Sequence, residues 1–413
     1  MSTTPMPAPG AASFRPLVWV LLAAAGTFAL TMGARQSMGL FVGSINTATG
    51  LGLGSVSLAF AFGQLWWGLT QPLAGIVADR AGPGRVLLAG IVLVCIGTLL
   101  IPFMTTTAGL VLAIGVLAAG GAGMAGPSVL MAATTRLVAP ERRAFASGVV
   151  NAGGSFGQFV FAPVAQAVTT AAGWAAAVQT LGLVTLLALP AAWVLRAPAR
   201  VAGAPVVPRL GTRAAIAQAL ADPSYRLLAT GFFVCGFHVA FLATHLPGVV
   251  AACGLPPNVG AWSIAMLGLF NIVGSVGIGW AMGYRQGRWR MKSLLSLIYT
   301  VRAVAVLLFV LAPKTTPVVL AFAAVMGLTF LSTVPPTAGL VARFFGPANM
   351  ATLFGLVMVT HQIGGFLGAW LGGKAFEATG SYDWIWYADI LLAVGAALLH
   401  LPIREVRPAP AAA

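Results

Sequence analysis

The sequence predicts an all-α, polytopic membrane protein whose twelve membrane-spanning helices form two bundles of six. Three observations support this prediction. Hydrophobic residues make up 59% of the 413 residues and charged residues only 7%, whereas about 25% of residues are charged in typical soluble domains. Apolar stretches of about 20 residues, the length needed to cross a bilayer, recur along the chain. The second half also repeats part of the first half.

Twelve apolar stretches predict the individual spans. Each is long enough for a helix, with its rise of about 1.5 Å per residue, to cross a hydrocarbon core of about 30 Å. The first stretch, from about Pro16 to Val42, is too long for the apolar part of a cleaved signal peptide, so we interpret it as a retained span. The approximate centres are Gly26, Gly68, Cys95, Ala119, Ser155, Leu186, Gly236, Phe270, Ala303, Leu328, His361 and Ala393.

The spans group into two bundles joined by a long connection that is rich in Ala, Pro and Arg, as a linker outside the bilayer would be. Spans five and eleven are alike, because a shift of 207 positions places Arg136 on Arg343 and Gly157 on Gly364. We therefore predict a tail at 1–15, a first bundle at 16–195, a linker at 196–225, a second bundle at 226–403 and a tail at 404–413.

Basic residues are distributed unevenly between the two sides of the predicted spans. The side of the termini carries 18 Lys and Arg, whereas the opposite side carries only Lys314 and Lys374. Because cytoplasmic loops have an excess of basic residues, we predict that both termini are cytoplasmic. The bias also explains the net charge of +15 without a nucleic-acid partner. High Ala, Gly and Arg usage and the lack of glycosylation sequons favour a bacterial inner membrane.

A short charged stretch separates spans two and three. Gly75, Asp79, Arg80, Gly82 and Arg85 follow the order G-x-x-x-D-R-x-G with a basic position three residues on. This order is similar to the signature loop of the major facilitator superfamily, and the resemblance extends over nearly the whole chain. It implies the major facilitator fold, and it implies that these five residues guard closure on the cytoplasmic side without contacting substrate. A charged turn that needs two glycines would explain the residue types but not their order.

The second half contains an altered copy of this stretch, from Gly279 to Lys292. Gly283 stands where the first copy has Asp79. The change leaves the corresponding charge contact of the second bundle without its carboxylate.

Polar residues inside the spans are candidates for the site, since a charge at the centre of an inserted helix costs about 2.5–3.5 kcal/mol. Arg35, next to Gln36, lies roughly 28 Å along the first span, in its outer third. Its guanidinium could bind a carboxylate, pair with another helix or extend to the interface. Arg302 lies near the middle of span nine, an outer-layer span in the superfamily, so we favour a structural pairing, with Asp389 as the candidate partner, over the alternative of a substrate contact.

Three histidines and two amides complete the candidate set. His238 and His245 are seven residues apart and share one face of span seven, while His361 adjoins Gln362 in span eleven. An imidazole that accepts a proton near physiological pH would suit proton coupling, although one interhelical hydrogen bond would also explain each histidine. Asn271 in span eight is a candidate substrate contact, and Gln64 in span two is a further polar position capable of lining a cavity. Because no carboxylate or thiolate accompanies the histidines, we predict no metal and no cofactor.

Within the superfamily the chain resembles the monocarboxylate porters and the oxalate/formate antiporters. Members of this branch typically place a cation in span eight or eleven to hold a carboxylate, whereas this chain has Asn271 and His361 with Gln362 in those spans. The first span also lacks the acid that several monocarboxylate porters carry. The resemblance depends on Gly33, Arg35, Ser37, Gly39, Phe41, Arg142, Arg143, Ala146, Gly148, Arg343, Gly355 and Gly364.

The charges inside the spans favour transport of an anion. Exporters of cationic drugs usually need a buried carboxylate, whereas here Arg35 would attract negative solutes. We predict a monomeric secondary transporter that works by alternating access on a small organic anion such as a monocarboxylate, with proton coupling as a further hypothesis. The alternative is an exporter of neutral or amphiphilic compounds. A membrane receptor or enzyme is more remote, because the sequence has no nucleophile–base pair, metal spacing or soluble sensor domain.

Overall fold

The computed structural model describes residues 17–138, 142–196, 212–283, 289–346 and 350–405. Within these ranges every regular element is a helix. The predicted tail at 1–15 and half of the predicted linker lie outside the described residues, so the domain boundaries stay predictions. A short helix, Thr212–Ala221, precedes the second bundle.

Six helices form the first bundle. Gly173, with a φ of 84°, divides the apolar stretch Phe145–Val194 into two helices, α5 and α6. Gly82 ends the second helix, and Pro83 begins the third, where its fixed φ suits the first helical turn. The four preceding helices are α1 (Leu17–Thr49), α2 (Leu53–Ala81), α3 (Pro83–Phe103) and α4 (Thr107–Thr134).

Six more helices form the second bundle, and prolines begin two of them, at Pro223 and Pro257. In its core the rings of Phe309 and Phe322 stack with their centres 4.2 Å apart, and Trp386 packs edge-on against both. The helices are α7 (Pro223–Ala252), α8 (Pro257–Gly283), α9 (Met291–Leu311), α10 (Thr316–Phe345), α11 (Met350–Thr379) and α12 (Asp383–His400).

These elements confirm the predicted twelve spans. Ten stretches of the described chain are long and apolar enough to cross a membrane. One of them, Phe145–Val194, contains both α5 and α6. Helix α2 is not among the ten but is 29 residues long, which exceeds the length that a span needs.

Because the number of spans is even, the start of α1 and the end of α12 share one face of the molecule, here called the termini face. The turns between α1 and α2 and between α11 and α12 lie on the opposite face. Between the bundles, α2 packs against α11, α5 packs against α8, and α1 meets α7. A ligand between the bundles would therefore be enclosed by these three helix pairs.

At the termini face a carboxylate closes the second bundle. Glu405 accepts a hydrogen bond of 2.7 Å from the backbone N–H of Lys292, in the first turn of α9, and pairs with Arg343 at 2.9 Å. An acid suits this position, because the first N–H groups of a helix have no partner within the helix. The carboxylate that Gly283 does not supply thus comes from beyond α12.

Candidate functional site

A pocket lies among α1, α2, α3 and α4, and α7 of the second bundle covers one side of it. The pocket is partly open to solvent. Apolar side chains such as Phe60, Ile101 and Ile114 form most of its wall. Of the described residues that line it, Arg35 is the one with an ionisable side chain.

Two amide oxygens hold the guanidinium of Arg35. Nη1 donates to Oε1 of Gln36 at 3.2 Å, and Nη2 donates to Oε1 of Gln64 in α2. The guanidinium carbon also lies 4.8 Å from the ring centre of Trp67. The ion pairs formed by the described residues do not include Arg35. Within this part of the chain its positive charge therefore has no carboxylate partner.

Two unpaired hydrogen-bond donors lie beside the same segment of α2. Trp67 Nε1 and Gln362 Nε2 are buried and have no partner in the described part of the chain. Gln362 extends from α11 and packs closely on α2, since a Cβ at Gly68 would lie 2.3 Å from its Cγ. A buried donor without an acceptor costs about 1–3 kcal/mol. This segment is therefore suited to a ligand that supplies oxygen acceptors.

His361 adjoins Gln362 but packs against α7. Its ring centre lies 5.0 Å from that of Phe232, and it neighbours the thiol of Cys235. Its Nδ1 is buried without a partner among the described residues. The two adjacent candidates thus contact different bundles, with Gln362 on α2 and His361 on α7.

Helix α10 loses its regular hydrogen bonds just before Pro335 and Pro336, which have no N–H groups to continue them. Asn271 in α8 binds one backbone group that this break frees, since its Oδ1 accepts a hydrogen bond of 3.0 Å from Leu331 N–H. Its Nδ2 donates to Oγ of Ser155 in α5 at 2.8 Å. Asn271 therefore links the break to the first bundle.

Arg302 in α9 binds the carbonyl groups on the other side of the break. Its Nη2 donates to the backbone oxygens of Thr329 and, at 2.8 Å, of Phe330. The guanidinium also lies 5.3 Å from the ring centre of Tyr299. A cation at this position is favourable, because free carbonyl groups at a helix C-terminus carry partial negative charge.

Asp389 in α12, the candidate partner of Arg302, is in contact with His238 of α7. The His238 Nε2 lies 3.1 Å from Oδ1 of Asp389 and 3.2 Å from its backbone oxygen. Both side chains are almost completely buried. The pair lies inside the second bundle, away from the pocket that contains Arg35.

His245 lies on the same helix as His238 but contacts α11. Its Nε2 is 2.7 Å from the backbone oxygen of Ala369, and its ring packs against Phe241 and Tyr382. This geometry gives His245 an interhelical hydrogen bond inside an aromatic cluster. The shared helix face therefore does not bring the two histidines to one site.

The signature stretch lies at the termini face. Gly82 ends α2, and its N–H donates to the backbone oxygen of Ala78 at 3.0 Å. The side chains of Arg80 and Arg85 are exposed, and a Cβ at Gly75 would meet open space. The side chain of Asp79 lies outside the described part of the structure. The gating role of these residues stays a prediction.

Of three further residues of the site, Ser155 and Trp67 are absent from the sequence-based candidates, and Gln64 is among them only as a polar position that could line a cavity. Gln64 and Ser155 are polar residues within predicted spans, and so are many residues that form only interhelical hydrogen bonds. Trp67 gives no signal, because aromatic residues are common in membrane helices. Only the packing of α1 on α2 and of α5 on α8 shows that these three side chains meet Arg35 and Asn271.

The chain is similar in sequence to several known transporters. It is 28% identical to monocarboxylate transporter 13 of Rattus norvegicus, over 93% of this chain and 88% of that protein. It is 25% identical to the oxalate:formate antiporter of Oxalobacter formigenes, over 82% of this chain and 77% of that protein. A 23% identity to the uncharacterized transporter YcxA of Bacillus subtilis covers 88% of this chain and 90% of that protein.

Solved structures have the same fold. A bacterial homologue of the human lysosomal transporter Spinster, in an inward-facing and occupied conformation, matches with a TM-score of 0.75 and 16% identity, over 97% of this chain and 100% of that one. A D-xylose–proton symporter matches with a TM-score of 0.69 and 15% identity, over 94% and 98%. The family model for the Major Facilitator Superfamily matches residues 23–369. The chain therefore belongs to the Major Facilitator Superfamily and is a multi-pass membrane transporter of that family.

Proposed function

We propose that this transporter carries a small organic anion, specifically a monocarboxylate, and that Arg35 binds the carboxylate. The observation that carries the proposal is a half-buried guanidinium beside an interbundle pocket, held by amide oxygens and with no carboxylate partner among the described residues. An anion that enters the pocket would supply the missing negative charge. Its two oxygens match the parallel N–H groups of a guanidinium.

The rest of the pocket supports one carboxylate and an apolar body. Phe60, Ile101 and Ile114 provide an apolar wall, whereas the described lining contains a single cation, Arg35. A second carboxylate would lose its hydration without gaining a partner, at a cost of several kcal/mol. The names of the relatives, monocarboxylate transporters and an oxalate:formate antiporter, also point to organic anions.

We further propose alternating access without any enzymatic step, with both termini in the cytoplasm of a bacterial cell and the protein in the inner membrane. The asymmetry of basic residues supports this orientation. Proton coupling is part of the proposal, because the imidazoles of His238 and His361 lie inside the second bundle. We propose that the monomer is the transporting unit, since the pocket lies within one chain.

Uptake into proteoliposomes tests the substrate class. The purified protein is reconstituted, and uptake of radiolabelled mono- and dicarboxylates and of a neutral amphiphile is measured with and without a pH gradient. Arg35→Gln removes the cation and retains polarity, whereas Arg35→Lys retains the charge without the paired N–H groups. Arg290→Gln is the matched control, because it removes an exposed arginine outside the spans.

Saturable uptake of a monocarboxylate by the native protein would support the proposal if two conditions hold. Arg35→Gln must lower this uptake at least about 100-fold, and Arg290→Gln must keep it within about twofold of the native rate. Uptake of the neutral amphiphile alone, retained in Arg35→Lys, would favour an exporter of neutral compounds in which Arg35 is a gating residue. Absence of uptake of every carboxylate by a folded protein would refute the anion proposal.

A further inference from the structure

A buried charged cluster lies in the second bundle, outside the pocket described above. It consists of Cys235 and His238 of α7, Arg302 of α9 and Asp389 of α12, and none of these residues is more than 1% exposed. Ionised groups in such an environment are costly unless each has a partner. The arrangement of their partners therefore indicates which protonation state the cluster is in.

The contacts of Arg302 and Asp389 are incomplete. Arg302 donates to the carbonyl groups of Thr329 and Phe330 rather than to the carboxylate, and its Nε and Nη1 have no partner in the described chain. Both side-chain oxygens of Asp389 also lack a hydrogen-bond partner there, and its close ionisable neighbour is the imidazole of His238. A bare carboxylate beside a neutral imidazole would be strongly destabilised, whereas one added proton would neutralise it.

We propose that His238 and Asp389 together bind one exchangeable proton, and that release of this proton transfers Arg302 from the α10 carbonyl groups to Asp389. The proton lies between Oδ1 of Asp389 and Nε2 of His238, which are 3.1 Å apart. With the proton bound, the pair is neutral and Arg302 remains on the carbonyl groups, as in this structure. Without it, the ionised carboxylate attracts the guanidinium.

Other titratable groups surround the pair and its neighbours: Arg302 acts on both members of the pair, whereas Tyr299 and His361 lie next to Cys235. Arg302 and Tyr299 extend from α9, Cys235 from α7 and His361 from α11. From α10 the cluster meets the hydroxyl of Thr333, which is 3.0 Å from the Cys235 sulfur and does not titrate in the physiological range. With Cys235 as the neutral thiol, the cluster has no net charge when the pair is deprotonated, because Arg302 and Asp389 cancel. It carries one positive charge when the proton is bound.

The α10 break connects this proton site to the interface between the bundles. When Arg302 leaves the carbonyl oxygens of Thr329 and Phe330, these buried groups lose their partner and the break must rearrange. The same break is held through Leu331 N–H by Asn271, which also binds Ser155 of the first bundle. Proton release would therefore alter a contact across which the bundles move.

Nuclear magnetic resonance of the histidine rings tests the proton site directly. The purified protein, labelled with ¹⁵N-histidine in lipid nanodiscs, is titrated from about pH 5 to about pH 9. We expect the nitrogens of His238 to change protonation or tautomer in this range, and Asp389→Asn to abolish the change or shift its midpoint by at least about one pH unit. His238→Asn assigns the signal, and His245→Asn is the matched control, since His245 contacts a backbone oxygen and, among the described residues, forms no ion pair with a carboxylate. A His238 signal that is constant over the whole range, or a titration unaffected by Asp389→Asn, would overturn the proposal.

Transport measurements test whether proton release at His238 and Asp389 affects the contact between the bundles. Only this part of the proposal depends on the proposed function. Two assays in proteoliposomes are compared: uptake driven by a pH gradient, and exchange of labelled for unlabelled substrate at equal pH. We expect Asp389→Asn and His238→Asn to reduce both rates, and the reduction in gradient-driven uptake to be at least about tenfold larger than the reduction in exchange. An equal loss in both assays, with the variants shown to be folded by gel filtration, indicates a merely structural role and refutes the link. If no carboxylate is transported at all, the proposed function fails, while the histidine titration still decides the proton site.

Discussion

The guanidinium of Arg35 and the amide oxygen of Gln64 are hydrogen-bonded to each other across α1 and α2, at the wall of the interbundle pocket. This contact orients the cation without neutralising it. A carboxamide is suited to that purpose, because its oxygen accepts a hydrogen bond but carries no net charge. The charge of Arg35 thus stays available to a ligand.

Replacing this amide by an acid should abolish anion binding. In Gln64→Glu, a carboxylate of nearly the same shape would pair with Arg35 and occupy the site that we assign to substrate. We expect carboxylate uptake to fall at least about tenfold, with normal expression and folding. The Gln64→Leu variant separates the effect of the added charge from that of the lost hydrogen bond, since it removes the hydrogen bond to Arg35 without adding charge. It should therefore retain more uptake than Gln64→Glu. Equal uptake in the two variants would show that charge at position 64 does not matter.

Close packing of α1 on α7 should depend on the absence of a side chain at Gly39. A Cβ there would lie 2.1 Å from the backbone oxygen of Ala243, so Gly39→Ala must push the two helices apart. We expect a loss of about 1–3 kcal/mol in the free energy of unfolding, measured as a lower Tm in detergent. Gly43→Ala is the control, because a Cβ at Gly43 meets open space, and it should not lower the Tm. Equal Tm values in the two variants would contradict the packing described for this face.

Asn271 should contribute to stability through the α10 break more than through the contact between bundles. Asn271→Leu leaves Leu331 N–H without an acceptor, which costs about 1–3 kcal/mol. Ser155→Ala removes only the hydrogen bond between Asn271 and Ser155, and such a bond contributes about 0.6 kcal/mol in membrane proteins. Thermal unfolding in detergent should therefore show a larger loss for Asn271→Leu. Because Asn271→Leu removes both hydrogen bonds, equal losses in the two variants would mean that the bond to Leu331 contributes nothing beyond the interbundle bond.

Cys253 should report both pH dependence and orientation. It follows α7 on the opposite face and is partly exposed, whereas Cys95 and Cys235 are buried. Burial raises the pKa of the Cys253 thiol, and nearby Lys314 lowers it less. Because the thiolate is the reactive form, maleimide labelling should be slower at neutral pH than for a free thiol, and its rate should keep rising above the ordinary thiol pKa. Cys253→Ser should abolish labelling.

The same thiol tests the predicted membrane orientation. A membrane-impermeant maleimide should label Cys253 in intact cells if the opposite face is external. Labelling that requires permeabilised cells would place the termini outside and contradict the prediction from basic residues.

The spans could be predicted from the sequence because the bilayer constrains them locally. Apolar length, loop charge and the shift of 207 residues are all visible in one chain, and they gave α1–α12 in the correct order. The prolines at 335 and 336 likewise mark a position where α10 cannot keep its hydrogen bonds. These features need no knowledge of what lies beside each helix.

The partners of the polar residues could not be predicted in this way. His238 and Asp389 are 151 positions apart, and the rotation of α7 and α12 decides whether they meet. Arg302 illustrates the same limit, since an acid was the natural partner to expect but backbone oxygens of α10 bind it. The pairing of a buried charge depends on helix packing, which residue spacing within one span does not specify.

The contact of Glu405 with Arg343 and the first turn of α9 also determines when the second bundle can be completed during synthesis. The first bundle obtains its signature acid, Asp79, from the second of its own helices, so this acid is available before the linker has been translated. The second bundle obtains its carboxylate only after α12 has been made. Helix α9 therefore enters the membrane long before the residue that caps it leaves the ribosome, and its N-terminal turn reaches its final hydrogen bonding only after the segment that follows α12 has been made.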